Sequence, residues 1–252
     1  MGGGNTAGRL DRRVAIITGA TSGIGEAIAY RFAREGAVTV LTGRRSELGE
    51  RNTKRITDGG GQALFIRADV TEYGDVKSLT AGVMERFGKI DVLVNNAGVL
   101  GNIRFEDATV EDWHRLINTD ALGGIYAMWE ILPIMRRQRG GAVINVTSID
   151  ATLSSPHEPL YCFIKAGMEH LTRALAKEYA EYNIRLNNLA PGLIATDLAR
   201  VNPEMFRKLE ENIPMKRAGT PDEMADIAVW LASDEASFVT GATIEANGGM
   251  VR

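Results

Sequence analysis

Seven short apolar runs recur along the chain, most of them separated by longer stretches with helical periodicity. The runs are "VAIIT" (14–18), "VTVLT" (38–42), "ALFIRAD" (63–69), "DVLVNN" (91–96), "AVINVTS" (142–148), "IRLNNLA" (184–190) and "ATIEAN" (242–247). Strands apolar on both faces, alternating with helices, build a parallel sheet that is covered on both sides. The intervening segments fit. In "IGEAIAYRFAREG", Ile24, Ile28, Phe32 and Ala33 fall on one stripe. No linker, repeat or low-complexity block interrupts residues 10–252. The expectation is an α/β chain with one doubly wound domain over 10–252. Its seven-stranded parallel sheet would carry helices on both faces, and a flexible Gly-rich leader would occupy residues 1–9.

Charge and cysteine usage narrow the function. Lys and Arg total 29 and Asp and Glu 32, with the two signs interspersed and a net charge of −3. That gives no electrostatic case for nucleic acid or an anionic membrane as partner. The single cysteine, Cys162, excludes an internal disulfide. His114, His157 and His170 are scattered without ligand spacing, so no metal is expected. The stretch "ALGGIYAMWEILPIM" carries Glu130 and Pro133 and is too short to span a bilayer. The leader "MGGGNTAGRLDRR" has no apolar signal core, although Gly2 and Thr6 match a myristoylation pattern. A cytoplasmic protein acting on a small molecule is the expectation.

Strand "VAIIT" runs into "GATSGIG" and then a helix, placing Gly19, Gly23 and Gly25 in a G-x-x-x-G-x-G turn. Glycines there let the backbone approach a ligand, and the helix N-terminus presents N–H groups to a pyrophosphate. The pattern points to a dinucleotide site. In such folds a residue near the end of the second strand, about 20 positions past the glycines, meets the adenosine ribose. A carboxylate there repels a 2′-phosphate. This chain has "LTGRRSE", with Gly43 followed by Arg44 and Arg45. A guanidinium forks onto a phosphate, so NADP(H) is expected over NAD(H), through Arg44 first with Arg45 assisting.

"YCFIK" (161–165) sets a tyrosine one helical turn before a lysine. With "TGATSGIG" (18–25), "NNAG" (95–98), "LINTDALGG", "NVTSI", "APGLIATDL" (190–198) and "TGATIEANGG" (240–249), the chain resembles the short-chain dehydrogenase/reductase family from about residue 10 to its end. The resemblance implies a Rossmann-type domain and a catalytic group of Asn118, Ser148, Tyr161 and Lys165. Tyrosine ordinarily ionises near pH 10, and a neighbouring cation favours its phenolate. Working near neutrality would take about three pH units, or about 4 kcal/mol of differential interaction. By resemblance Ser148 bonds the substrate oxygen, Lys165 also holds the nicotinamide ribose, and Asn118 holds a water that relays protons to the lysine. The same resemblance assigns cofactor contacts to Gly19, Thr21, Ser22, Gly23 and Ile24 in the glycine loop, and to Asp69 and Val70 at the adenine. It adds Asn95, Ala97 and Gly98 along the cofactor, and Pro191, Gly192, Ile194 and Thr196 beside the carboxamide. Two departures stand out: Phe163 and Ile164 replace small residues, and Asn247 stands where the family has aspartate.

The expected activity is NADP(H)-dependent interconversion of a ketone and a secondary alcohol, with Tyr161 as acid/base. Reduction of 3-oxoacyl groups on an acyl carrier protein is one alternative. The basic "MRRQRGG" (135–141) favours it, while "YNI" (182–184) in place of the "RGI" common in carrier reductases speaks against it. A sugar or polyol dehydrogenase is another, and a non-catalytic dinucleotide-binding regulator is the rival from a different class. Ser148, Asp150, Tyr161, Leu198 and Met205 are the expected substrate contacts. A lid over about 192–214, with Leu193, Leu198, Val201, Met205, Phe206 and Leu209 on an apolar stripe, would supply the apolar side, and "SIDATLSSPHEP" (148–159) the wall in which Asp150 and Glu158 disfavour anions. A homotetramer is expected through helices around 110–137 and 160–182, where Trp113, Tyr126, Met128 and Trp129 supply apolar bulk.

Overall fold

The structure, a computed structural model, describes residues 8–196 and 203–250. Its strands are β1 (Val14–Thr18), β2 (Val38–Gly43), β3 (Gln62–Arg67), β4 (Val92–Asn95), β5 (Gly141–Val146), β6 (Ile184–Pro191) and β7 (Thr243–Ala246). They form one sheet in the order β3-β2-β1-β4-β5-β6-β7, with every pairing parallel. The seven runs read from the sequence are these seven strands. All five residues of β1 are buried, as expected of a strand covered on both faces.

The helices are α1 (Gly23–Arg34), α2 (Ser46–Asp58), α3 (Tyr73–Phe87), α4 (Val110–Leu116), α5 (Gly123–Gln138), a short α6 (Asp150–Leu153), α7 (Pro159–Tyr179), α8 (Pro203–Glu211) and α9 (Pro221–Ala232). Their start signals are local. Thr109 with Asp112, and Thr220 with Glu223, form reciprocal capping boxes, and Pro159 and Pro221 sit in first turns. One face of the sheet packs against α1 and α9 through Ile28, Phe32, Ala228 and Val229. The other packs against α3, α5 and α7 through Val83, Met128, Ile131 and Met168. Burying each such large side chain contributes about 1.5–3 kcal/mol. None of the described helices is long and apolar enough to cross a membrane.

Between α4 and α5 the chain stays helical but widens into a π-helical segment, Ile117–Leu122. A π segment turns the following side chains away from the positions a 3.6-residue period assigns them. Sequence periodicity gave no sign of it. Arg9, expected within the leader, donates from its backbone and its guanidinium to Glu35, at 3.1 and 2.7 Å.

Candidate active site

The strand order reverses between β1 and β4, and the loops leaving the C-terminal ends of β1, β4 and β5 meet there. In open parallel sheets that crevice is where ligands bind.

The glycine loop is locked onto the loop after β4. Thr18 Oγ1 accepts the N–H groups of Asn96 and Ala97, both at 3.0 Å. Asn96 Nδ2 donates to the carbonyls of Thr18 and Gly19, at 2.9 and 3.3 Å. Gly19 and Gly23 lie at φ +65° and +61°, where side chains are strained. A Cβ on Gly25 would sit 2.3 Å from Asn96 Nδ2. The glycines therefore serve close packing as well as ligand approach. Ser22 precedes α1 in an extended conformation, and its hydroxyl makes no capping bond to the helix. The first-turn N–H groups of α1 are left for a phosphate to use.

Arg45 folds back over this loop. Its Nη2 donates to Thr21 Oγ1 at 2.8 Å and to Ser22 Oγ at 2.6 Å. Among the described residues no carboxylate pairs with it. Arg44, also exposed, has Nη1 3.8 Å from Asp69 Oδ2. Two guanidinium groups, one balanced only by neutral hydroxyls, fit a ribose 2′-phosphate well. Asp69 accepts the N–H and hydroxyl of Thr71 at 3.1 and 2.9 Å, which holds the chain end after β3 in place. Val70 lines the crevice with Thr18, Asn95, Ala97, Asp120 and Lys165. The segment after β6 comes alongside: a Cβ on Gly23 would lie 3.4 Å from Thr196 Cγ2. Ile194 bridges to Gly219, and Pro191 O accepts the N–H of Ile149 at 3.0 Å. Gly192 is closed in by Asn247, whose Oδ1 accepts the N–H of Gly249. The departure at Asn247 thus builds a turn. Asn95 has a structural task too. It donates to Asn145 Oδ1 at 2.8 Å, and Asn145 donates to Thr172, joining β4, β5 and α7.

Ser148, just past the end of β5, is near enough to Tyr161 on α7 to favour its phenolate. Its hydroxyl also donates to Asp150 Oδ2 at 3.1 Å, and the Asp150 N–H returns a bond to Ser148 Oγ. Lys165 stands one turn beyond Tyr161, with Nζ 5.2 Å from the centre of the tyrosine ring. Nζ is also 3.4 Å from Val146 O. Three of the four expected catalytic residues are therefore together. The fourth position differs. The side chain that meets Lys165 is Asp120, with Oδ1 3.0 Å from Nζ, and both side chains are buried. Asn118 lies two residues earlier in the π-helical segment, and among the described residues no hydrogen bond joins its side chain to Lys165. The π segment carries Asp120 to the inner side. Both residues stand in "INTDALGG", and the letters alone do not say which of them faces in.

The electrostatics oppose one another. Burial pushes the Tyr161 phenol up; Lys165 draws it down and Asp120 pushes it up again, leaving the net direction upward. The expected lowering by Lys165 is thus present but outweighed. Burial works against the Lys165 ammonium, but the negative charges at Tyr161 and Asp120 hold it raised. Burial also raises Asp150 and Glu158, and Asp150 adds to the rise at Glu158. In α8 Phe206 is buried while Leu209 is exposed, so the expected apolar stripe is only partly turned inward. Leu198, Val201 and the side chain of Met205 lie outside the described residues.

The family model described as enoyl-(acyl carrier protein) reductase matches residues 19–251. The 3-oxoacyl-[acyl-carrier-protein] reductase FabG of Thermotoga maritima is 38% identical over 245 residues, spanning 96% of this chain and 99% of that protein. The solved structure of a short-chain type dehydrogenase/reductase from Mycobacterium marinum matches with a TM-score of 0.91 at 32% identity, over 95% of this chain and 96% of that one. A 7α-hydroxysteroid dehydrogenase complexed with NADH and 7-oxo glycochenodeoxycholic acid matches at 0.92 with 34% identity, over 96% and 95%.

Proposed function

The chain belongs to the short-chain dehydrogenase/reductase family, and on that premise we propose that it is an NADP(H)-dependent oxidoreductase interconverting a ketone and a secondary alcohol. One observation carries the reading: Tyr161 lies beside the Lys165 ammonium, with Ser148 near enough to favour its phenolate, at the crevice where the glycine loop ends. A nicotinamide dinucleotide, when bound, supplies or accepts the hydride. The protein's own groups handle the proton. In reduction, Tyr161 gives its phenolic proton to the carbonyl oxygen as negative charge develops there. Ser148 turns its hydroxyl from Asp150 to the same oxygen, and Lys165 steadies the phenolate left behind. In oxidation the phenolate takes the proton back. A positioned acid/base of this kind contributes about 10²–10⁴-fold.

The NADP(H) preference rests on Arg45 and, secondarily, Arg44. A neutral, mostly apolar carbonyl compound fits a wall that carries Asp150 and Glu158; hydroxylated substrates bonding those carboxylates are the closest variant. A homotetramer in the cytoplasm completes the proposal. The likeness to FabG supports a second reading, reduction of 3-oxoacyl thioesters on a carrier protein.

The test is a panel of size-matched apolar, hydroxylated and anionic ketones, assayed with NADPH and NADH in parallel. The highest kcat/KM should fall on an apolar member with NADPH. A clear lead for the anionic members would refute the charge argument. Turnover of a 3-oxoacyl thioester only when it is attached to a carrier protein would favour the second reading. Dinucleotide binding without turnover of any member would point to a regulator.

A further inference from the structure

The Lys165–Asp120 pair has no counterpart in the chemistry assigned so far. An ammonium beside Tyr161 favours the phenolate in proportion to its unbalanced charge. Here that charge is balanced at 3.0 Å by a carboxylate, and the two side chains are 7% and 1% exposed, so water does little to screen them. The placement is built. Asp120 Oδ2 accepts the Val99 N–H at 3.0 Å, which ties the carboxylate to the chain leaving β4. The π-helical segment aims it inward. A Cβ on Gly98 would lie 2.7 Å from Asp120 Oδ1 and 3.6 Å from Lys165 Nζ, so a glycine keeps the room the pair occupies.

We infer that Asp120 is a positioning residue for the proposed reaction: it clamps the Lys165 ammonium and cancels part of the charge that ammonium presents to Tyr161, so the tyrosine works at a higher pH than it would beside a neutral side chain. The inference rests on the oxidoreductase reading given above. The charged groups facing Tyr161 are Lys165 from α7, Asp120 from the π-helical segment and Asp150 from α6. Asp120 is the group among these that touches the ammonium. The upward direction of the Tyr161 pKa, to which Asp120 contributes, agrees with this.

The sign follows from charge. Removing the carboxylate's negative charge leaves Lys165 unbalanced, favours phenolate and lowers the pH at which Tyr161 ionises. Two charge-removing variants, Asp120→Asn and Asp120→Ser, are compared with the wild type in two ways. The first is tyrosinate absorbance against pH, with the Tyr161→Phe titration in the same background subtracted to isolate Tyr161. The second is kcat/KM against pH for the secondary alcohol that the wild type oxidises fastest. Tyr161 ionisation and the acid limb of the rate profile should both move down by about one pH unit. An ionisation that stays in place or moves up in both variants overturns the inference, as does loss of turnover at every pH in variants with unchanged melting curves. The absorbance titration needs no substrate. If the wild type turned over no alcohol, the oxidoreductase reading would fail while the titration still decided the role of Asp120.

Discussion

At the scale of single residues, the proposed NADP(H) preference turns on charge placement. Arg45 is held against Thr21 and Ser22 by bonds to neutral hydroxyls, so its charge is available to a 2′-phosphate. Arg44 is partly turned to Asp69. Arg45→Ala should therefore cut kcat/KM for NADPH by about tenfold or more while leaving the NADH value nearly unchanged. Arg44→Ala should have the smaller effect. Steady-state kinetics with both dinucleotides checks the order, and a larger loss from Arg44 would reverse it. The sequence already marked both arginines, because an adenosine-ribose contact comes at a fixed distance after a glycine loop. It marked Tyr161, Lys165 and Ser148 through the family resemblance that the surrounding motifs carry, since a tyrosine one turn before a lysine is by itself an ordinary helix pair. Asp120 was hidden because a neighbouring asparagine in the same motif offered a plausible occupant, and only the π-helical turn tells them apart.

At the scale of elements, the glycine loop and the loop after β4 act as one unit. Gly25→Ala would drive a methyl group to 2.3 Å from Asn96 Nδ2 and 2.6 Å from the Gly19 carbonyl. It should destabilise the protein by about 1–3 kcal/mol and raise the KM for the dinucleotide. Gly74, in the first turn of α3, has open space where a methyl group would sit. Gly74→Ala should therefore stabilise by about 0.4–1 kcal/mol. Chemical denaturation of the two variants side by side tests the contrast, and equal destabilisation by both would contradict it. Strands and helices were legible because each repeats its apolar residues with its own period over several turns. The lock between the two loops was not, because Asn96 reads as one letter of a binding motif while its amide is spent on the Thr18 and Gly19 carbonyls. The expected lid suffered similarly: spacing placed Phe206 and Leu209 on one stripe, but only Phe206 is buried.

At the scale of the whole molecule, two large apolar side chains remain uncovered on the long helices. Trp129 on α5 is 71% exposed and Phe163 on α7 is 68% exposed. Met128, expected to serve an interface, is instead in the protein's own core at 2%. Association through α5 and α7 would cover Trp129 and Phe163, which supports the proposed homotetramer. Light scattering at micromolar concentration should give a mass near four times 27.3 kDa, and Trp129→Glu combined with Phe163→Glu should reduce it. A wild-type mass near that of one chain would exclude association. The central claim concerns one proton. Tyr161→Phe keeps the ring against Gly101 and removes only the phenolic proton. The most direct measurement is the rate of NADPH consumption with the best ketone of the panel, wild type against Tyr161→Phe, at saturating cofactor and with dinucleotide affinity measured alongside. The variant should bind NADPH as the wild type does and lose at least about a hundredfold in kcat; retention of even about a tenth of the wild-type kcat would contradict the assignment of Tyr161 as the acid.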